Sequence, residues 1–385
     1  MGEIGKKKKV LFVIESFSGG GAERVLCTIL QHIDREKFET IVCPIVDTGV
    51  YSQTVRDVVD SYKPIVKRKQ NLWGKLFARI LYKLVYYWLP LSLVYKLFVP
   101  KNNDVEVAFV EGFATKLLSF SSNKKSKKIA WVHIDFKRFH WTKSVYKSDD
   151  EERNVYARFE KIITVSKTAE SSFVDTFPEF KDCVETLYNP INSDYIMQES
   201  QKAIGTIGKK DEGIVRLVSV GRLAPQKKYD RLLRIIKRLK EDGFPCELWL
   251  LGEGEMREEL ENYVHTNHME KNVMLLGFQK NPYQYLVHCD LFVCSSVSEG
   301  YSTAVTEALI LGLPVVTTDC SGMKELLNDG EVGLITDNSE EALFEGVKYM
   351  LYDNRYKSYT SKAAEKGKQF SLNNLMRPIE NILYL

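Results

Sequence analysis

Short β-branched runs that alternate with helix-like segments limit what this chain of 385 residues can fold into. Each run is followed by a turn and then by a segment with helical character. The runs fall in two groups, at residues 10–14, 40–46, 105–110, 128–132 and 162–165, and at residues 215–220, 247–251, 273–276, 291–294 and 315–318. This alternation predicts an α/β chain with two doubly wound, parallel-sheet (Rossmann-like) domains.

Two glutamates, Glu299 and Glu307, lie eight residues apart between the run at 291–294 and a following apolar helix. In an open parallel sheet this loop lies at the carboxyl edge, where ligands bind, and the free N–H groups of a helix start favour an anion. Each glutamate could instead complement a helix dipole or face water. With Thr303 as N-cap, the capping-box position is 306, so Glu307 comes one residue too late for that structural role.

Two basic residues flank the loop that follows the run at 215–220. Arg222 and Lys227 lie at the same predicted sheet edge as Glu299. A planar guanidinium and a mobile ammonium together suit a diphosphate. Basic residues in a loop are usually solvated, but together with the acidic loop at the same edge they indicate a diphosphate more specifically.

Together these motifs resemble the retaining glycosyltransferases of the GT-B class called family 4 (glycosyltransferase group 1), in particular bacterial capsular and exopolysaccharide enzymes. The resemblance runs from about residue 8 to residue 370 and depends on several motifs in the right order. They are Gly19-Gly20-Gly21-Ala22-Glu23-Arg24, Asn189-Pro190-Ile191, Gly221-Arg222 with Lys227, the Glu-x7-Glu element from Glu299 to Glu307 with Ala308, and Gly312-Leu313-Pro314-Val315-Val316.

The resemblance implies a GT-B fold, in which two Rossmann-like domains face a cleft that holds the active site. Residues 1–190 would form the acceptor-side domain and residues 191–360 the nucleotide-sugar domain, with a poorly patterned hinge at 194–213. Residues 361–385 would contain a C-terminal helix that crosses back to the first domain.

The resemblance also implies catalytic roles. Arg222 and Lys227 would stabilise the charge that builds on the leaving diphosphate, and Glu299 would face the hydroxyls of the donor sugar. His133, in a Trp-Val-His-x-Asp run, would lie at that sugar and could donate a hydrogen bond to it, although an isolated histidine is more often structural.

A larger set of residues is expected to bind the donor. Glu307 would accept hydrogen bonds from the ribose, and the nucleotide base would lie near Phe278. The full set comprises Gly20, Gly21, Gly221, Phe278, Gly300, Tyr301, Ser302, Thr303 and Glu307. Many relatives have Glu-Gly-Phe-Gly-Leu where this chain has Ser302 in place of the second glycine, which adds a hydroxyl near the sugar. UDP-hexoses or UDP-N-acetylhexosamines are the expected donors, with GDP-mannose as the alternative.

Residues 63–101, here called the amphipathic segment, combine apolar residues at helical spacing with basic residues. Between residues 61 and 103 there are nine lysines and arginines and no acid. The segment could pack on the sheet as a long helix, or lie on anionic lipid as an interfacial helix. We expect the second, with membrane contacts from Trp73, Lys75, Arg79, Lys83 and Trp88. That position favours a polyprenyl-diphosphate-linked saccharide acceptor at the inner face of the cell membrane, in surface polysaccharide synthesis.

Bulk properties argue against several classes of protein. The formal net charge of +3 is too small to indicate nucleic-acid binding. The seven cysteines show no CxxC pair, which favours a reduced cytoplasm, and the run at 10–14 is too short for a signal peptide. There is no Asp-x-Asp motif, and His265 and His268 lack a third ligand nearby, so no metal and no cofactor is expected.

Three other functions fit parts of this pattern. A nucleotide-sugar epimerase shares the fold but needs no acceptor, and a noncatalytic GT-B binding protein would keep the fold without turnover. A dinucleotide-dependent oxidoreductase could use the loop Gly19-Gly20-Gly21, but the Gly-x-Gly-x-x-Gly fingerprint is missing from the sequence.

Overall fold

The computed structural model describes residues 6–67, 71–204 and 212–384. The chain divides into two compact units, one of Met1–Pro190 with Asn373–Leu385 and one of Ile191–Leu372. Each unit contains one parallel sheet with helices around it, which confirms the predicted fold class.

Seven parallel strands form the sheet of the first unit. They are β1 Lys8–Ile14, β2 Phe38–Pro44, β3 Ser61–Tyr62, β4 Val105–Ala108, β5 Lys127–Val132, β6 Lys161–Thr164 and β7 Val184–Thr186, in the order β3-β2-β1-β4-β5-β6-β7. The helices are α1 Gly21–His32, α2 Ser52–Val58, α3 Leu72–Lys83, α4 Leu91–Phe98, α5 Phe113–Leu118, α6 Asp149–Tyr156 and α7 Lys167–Thr176. Residues 10–14 of β1 are fully buried, because helices cover both faces of a central parallel strand.

Six parallel strands form the sheet of the second unit. They are β8 Val215–Val220, β9 Cys246–Leu251, β10 Val273–Gly277, β11 Leu291–Cys294, β12 Val315–Thr318 and β13 Leu334–Thr336, in the order β10-β9-β8-β11-β12-β13. The helices are α8 Ser193–Ser200, α9 Tyr229–Glu241, α10 Arg257–Thr266, α11 Tyr283–Leu286, α12 Thr303–Ile310, α13 Met323–Leu327, α14 Glu340–Leu351 and α15 Tyr356–Gly367. Strands β8 and β11 are neighbours, so the loops after them lie side by side at the carboxyl edge.

The end of the chain forms two helices. Helix α15 belongs to the second unit, where Gly367 allows close packing, since a Cβ there would lie 2.3 Å from the carbonyl oxygen of Leu309 on α12. The last helix, α16 Leu372–Tyr384, packs on the first unit, where Glu380 accepts a hydrogen bond from the backbone N–H of Asp34 at 2.9 Å. The second unit therefore ends near residue 372, not at the expected 360.

Some local expectations were wrong. A poorly patterned hinge was predicted at 194–213, but α8 (Ser193–Ser200) covers the first part of it, and the Asn192 side chain caps this helix by accepting from the N–H of Tyr195 at 2.9 Å. Residues 205–211 of that stretch lie outside the described residues. The three short strands β3, β7 and β13 were not predicted, and all three lie at sheet edges.

The amphipathic segment folds as α3, a π-helical turn at Leu84–Trp88, and α4, with Pro90 between them. Its residues 68–70 lie outside the described residues. Most of its aromatic residues do not pack on the sheet: Trp73 is 79% exposed, Phe77 65% and Trp88 76%. The inward side of its helices packs into the core of the first unit through Ala78, Val85, Val94, Tyr95 and Val99. The segment therefore packs one apolar side into the core and exposes a second one, so each of the two interpretations fits part of it.

Candidate functional site

An ion pair joins the two loops that follow β8 and β11, here called the basic loop (residues 221–228) and the acidic loop (residues 295–302). Lys227 Nζ lies 2.6 Å from Glu299 Oε1, and the hydroxyl of Ser296 donates to the same oxygen at 2.6 Å. The side chains of Lys227 and Glu299 are only 22% and 11% exposed. Burial by itself lowers the pKa of Lys227, but the Glu299 carboxylate outweighs it and holds that pKa above its ordinary value. Lys227 therefore stays protonated at neutral pH.

Backbone carbonyls fix the basic loop against the acidic loop. The Ser295 hydroxyl donates to the carbonyl of Lys227 at 2.7 Å, and the Gln226 amide donates to the carbonyl of Ser298 at 2.8 Å. The N–H of Val297 in turn donates to the carbonyl of Gln226 at 3.0 Å. Three bonds thus set the distance between Lys227 and Glu299 before any ligand arrives, which is the preorganisation that electrostatic catalysis needs.

A second set of hydrogen bonds holds the backbone of the acidic loop. The carbonyl of Ser296 accepts from the Thr318 hydroxyl at 2.6 Å and from the Cys320 thiol at 2.8 Å. The Asn338 amide donates to the carbonyl of Val297 at 2.9 Å. Sequence reasoning missed Gln226, Thr318 and Asn338, because their partners are backbone carbonyls far away in sequence.

Gly221 has no side chain and so leaves room beside the Lys227–Glu299 pair. A Cβ at this position would lie 2.9 Å from the Tyr229 hydroxyl and 3.3 Å from Lys227 Cε. A small cavity beside the pair is lined by Tyr229, Cys294, Ser302 and their neighbours, and Arg222 is absent from that lining. Arg222 is exposed on the same loop. The structure therefore pairs Lys227 with Glu299, while the Arg222 side chain is exposed and forms no ion pair with Glu299.

Helix α12 begins one residue earlier than expected. Ser302, not Thr303, is the N-cap, and its hydroxyl accepts from the N–H of Val305 at 3.4 Å. Ser302 is the N-cap because its backbone is extended, which points its hydroxyl at the first turn of the helix. The capping-box position is thus Val305, so Glu307 again has no such role.

Glu307 lies on the first turns of α12 and is only 2% exposed. The Tyr283 hydroxyl lies 3.5 Å from its Oε1. Gly300 and Tyr301 precede the helix, and Gly322 packs against them, since a Cβ on Gly322 would lie 2.9 Å from the carbonyl oxygen of Gly300. The expected ribose contact of Glu307 stays a prediction.

Phe278 follows β10 and is 41% exposed. The strand runs to Gly277, whose φ of +69° is left-handed and sets the turn before Phe278. An exposed ring at the carboxyl edge is free to stack on a nucleotide base, and this role stays a prediction.

His133 follows β5 in the first unit. Its Nε2 lies 2.9 Å from the carbonyl oxygen of Phe109, and its backbone N–H donates to Glu111 Oε2 at 2.8 Å. A carbonyl only accepts, so Nε2 carries the proton, and burial lowers the pKa of the ring to about 4. The neutral ring offers Nδ1, which accepts. Donation to a sugar hydroxyl therefore does not fit this arrangement, whereas acceptance from one does.

The glycine loop of the first unit leads into α1. Gly20 is the residue before the helix, and a Cβ there would lie 2.2 Å from Glu23 Oε2. Gly21 is the first helical residue. Their expected contact with the donor stays a prediction. Across residues 6–67, 71–204 and 212–384, no group of three or more histidine, cysteine, aspartate or glutamate side chains could hold a metal ion.

A family model described as glycosyl transferases group 1 matches residues 200–367, a range that contains both site loops. A Campylobacter jejuni relative, N-acetylgalactosamine-N,N'-diacetylbacillosaminyl-diphospho-undecaprenol 4-alpha-N-acetylgalactosaminyltransferase, is 37% identical over 219 residues, which is 56% of this chain and 58% of that enzyme. An uncharacterized glycosyltransferase of Methanocaldococcus jannaschii is 26% identical over 85% of this chain and 89% of its own length.

Solved structures share the fold at low identity. Anabaena HepE in complex with UDP and glucose is 18% identical and has a TM-score of 0.76, with 98% of this chain and 99% of that chain covered. The protein TarM is 13% identical, with a TM-score of 0.72 over the full length of both chains. The chain therefore matches the group 1 glycosyltransferases in sequence over residues 200–367 and shares the GT-B fold, which confirms the resemblance to that group.

Proposed function

We propose that this protein is a retaining, metal-independent glycosyltransferase that moves a sugar from a UDP-sugar to a lipid-linked saccharide at the inner face of the cell membrane. The observation that carries the proposal is the shielded Lys227–Glu299 pair between two loops of the region that matches the group 1 family.

Lys227 is the group expected to meet the leaving diphosphate. As the bond from the anomeric carbon to the diphosphate loosens, negative charge builds on the leaving oxygens. A lysine that stays protonated and lies in a shielded place stabilises this charge more than it stabilises the intact donor. The exposed Arg222 would meet the diphosphate from the solvent side, and the N–H groups at the start of α12 would add to it.

Retention is proposed to arise by internal return, in which the leaving group and the acceptor use the same face of the sugar. Glu299 is engaged by Lys227 and Ser296, so it is better suited to accept hydrogen bonds from sugar hydroxyls than to attack carbon. The leaving diphosphate would then take the proton of the acceptor hydroxyl.

A UDP-sugar is the proposed donor. HepE, which shares the fold, has been solved with UDP-glucose, and the name of the Campylobacter relative specifies transfer of N-acetylgalactosamine. Ser302 is the cap of α12 and lines the cavity beside the pair, so its hydroxyl would contact a sugar bound there. UDP-hexoses and UDP-N-acetylhexosamines are therefore the donors to test first.

The proposed acceptor and location follow from the amphipathic segment. Helical spacing places Lys75, Arg79 and Lys83 along one border of the exposed strip that contains Trp73 and Phe77. Exposed tryptophan beside a row of cations suits the interface of an anionic membrane. Among the described residues, no helix is both long and apolar enough to span a bilayer.

Relatives support a lipid-linked saccharide. The name of the Campylobacter enzyme specifies a diphospho-undecaprenol acceptor. A further relative, the lipopolysaccharide core biosynthesis glycosyltransferase LpsE of Rhizobium meliloti, is 29% identical over 44% of this chain and 48% of its own length. These names favour transfer over the epimerase and oxidoreductase alternatives.

The test is a transfer assay with purified protein, a panel of nucleotide sugars, a bacterial lipid extract and EDTA. Acceptor-dependent release of UDP, with the anomeric configuration kept in the product, is the expected result. Isomerisation of the donor without acceptor would identify an epimerase. Donor binding without any turnover would identify a noncatalytic protein.

A further inference from the structure

Glu15 is a carboxylate at the carboxyl edge of the first unit that the proposed reaction has not yet used. It follows β1 directly, and β1 lies between β2 and β4, where the strand order of the sheet reverses. In open parallel sheets this reversal point is where ligands bind. The loop that Glu15 begins runs to Gly21, the first residue of α1.

Neutral donors hold the Glu15 carboxylate. Its Oε2 accepts from the Tyr86 hydroxyl at 2.7 Å, and its Oε1 accepts from the N–H of Ala114 at 3.1 Å. Among the described residues, no lysine, arginine or histidine forms an ion pair with it. Burial raises the pKa of Glu15. A half-buried carboxylate without a cation costs free energy, and such groups concentrate at functional sites.

Tyr86 connects Glu15 to the amphipathic segment. It lies on the π-helical turn Leu84–Trp88, and its ring stacks on Tyr82 at 4.4 Å and on Phe113 at 4.1 Å. π-Helical turns place an extra residue in a helix, and here the turn aims both Val85 and Tyr86 inward. The next residues, Tyr87 and Trp88, are exposed. One turn of helix therefore contacts both the exposed strip and the sheet edge.

This inference rests on the proposed function. We propose that Glu15 binds a hydroxyl of the acceptor saccharide and that Tyr86 is the positioning residue that sets the Glu15 carboxylate when the amphipathic segment lies on lipid. A carboxylate accepts hydrogen bonds at several lone pairs, so Glu15 keeps capacity for a sugar hydroxyl beside Tyr86 and Ala114. Contact with lipid would hold the π-helical turn in place, and the turn would hold the Tyr86 hydroxyl against Glu15. The acceptor would then bind to a carboxylate whose position is already set.

The variants Glu15→Gln and Tyr86→Phe test this proposal, with Tyr95→Phe as the matched control. Tyr95, on α4 of the same segment, donates to the buried Glu106 at 2.8 Å, within the sheet and not at its carboxyl edge. Each tyrosine variant thus loses one Tyr-to-Glu hydrogen bond from the same segment. Only one of the two lies at the proposed site.

Initial rates are measured with two forms of the saccharide that accepts sugar in the transfer assay. One form is linked to undecaprenyl diphosphate in vesicles of phosphatidylglycerol and phosphatidylethanolamine, and the other carries a water-soluble octyl diphosphate tail. Glu15→Gln is expected to raise the acceptor KM roughly tenfold in both forms with the donor KM unchanged. Tyr86→Phe is expected to raise the acceptor KM by a similar factor with the acceptor in vesicles only. Tyr95→Phe is expected to leave the acceptor KM unchanged with both forms.

Several outcomes contradict the proposal. An unchanged acceptor KM in Glu15→Gln removes Glu15 from acceptor binding, and equal losses in both forms for Tyr86→Phe remove the link to lipid. If a variant does not fold, hydrogen exchange of the wild-type protein tests the proposal instead. Anionic vesicles should slow amide exchange at residues 113–118, and unchanged exchange there would contradict the proposal. A wild-type protein without transfer activity would refute the proposed function itself, which is a separate result.

Discussion

The two site loops of the second unit and the amphipathic segment of the first unit use charge in opposite ways. In the site loops, Lys227 and Glu299 are shielded, paired and held by bonds to backbone carbonyls. In the amphipathic segment, Lys75, Arg79 and Lys83 are exposed beside exposed aromatic rings. A fixed and shielded pair suits a charge that develops at one point, whereas a row of solvated cations suits an extended anionic surface.

The largest effect is expected at Lys227. Lys227→Ala should lower kcat/KM by roughly 100- to 1,000-fold, which is the usual cost of losing one group that stabilises developing charge. The exposed lysine Lys240 on α9 provides the control, and Lys240→Ala should leave the rate unchanged. Steady-state transfer assays with both variants measure the difference, and similar rates for Lys227→Ala and wild type would contradict a role in the chemistry.

A smaller effect is expected from the cation row. Replacing Lys75, Arg79 and Lys83 by alanine should weaken binding to phosphatidylglycerol vesicles roughly 100-fold, at about 1 kcal/mol for each cation near the surface. Replacing Lys357, Lys362 and Lys368, which are exposed in the second unit, changes the net charge equally. If both triple variants lose the same affinity in a vesicle sedimentation assay, total charge explains binding and the segment does not.

The smallest effect concerns stability. The His133 ring has a pKa of about 4 in the folded protein, below its ordinary value of 6.5, because burial disfavours its charged form. The unfolded chain therefore binds the extra proton first, so the stabilisation is fully present above pH 6.5 and is lost as pH falls toward 4. The loss should be about 2 to 3 kcal/mol.

His133→Gln keeps a donor for the carbonyl of Phe109 and does not titrate. Urea unfolding of both proteins between pH 7 and pH 4 isolates the histidine, since Glu15, Glu111 and the other acids are common to both. Parallel pH dependences in the two proteins would contradict a buried neutral ring.

Much of the second unit could be predicted from sequence. Strands β8, β11 and β12 were predicted with the ends that the structure has, because each is a buried run bounded by turn residues. Edge strands such as β3, at Ser61–Tyr62, were missed because two residues are too few to show an alternation of apolar and polar side chains. The N-cap of α12 was placed one residue late, because Ser302 and Thr303 are both good caps and only the backbone separates them.

The site was predicted less completely. The sequence places Arg222, Lys227 and Glu299 at one sheet edge, but it cannot show that Lys227 pairs with Glu299 while Arg222 stays exposed. Glu15 was missed, although an acid directly after the apolar run at 10–14 is a signal that could have found it. The π-helical turn that aims Tyr86 at Glu15 has no signature in the apolar spacing.

The rate of the first turnover of Lys227→Ala, with UDP-sugar already bound and acceptor saturating, tests most directly whether the shielded lysine serves the transition state. We expect the Kd of the UDP-sugar to change less than tenfold and the single-turnover rate to fall by roughly 100-fold or more. A weakened Kd with an unchanged rate would contradict this role, because Lys227 would then only bind the donor.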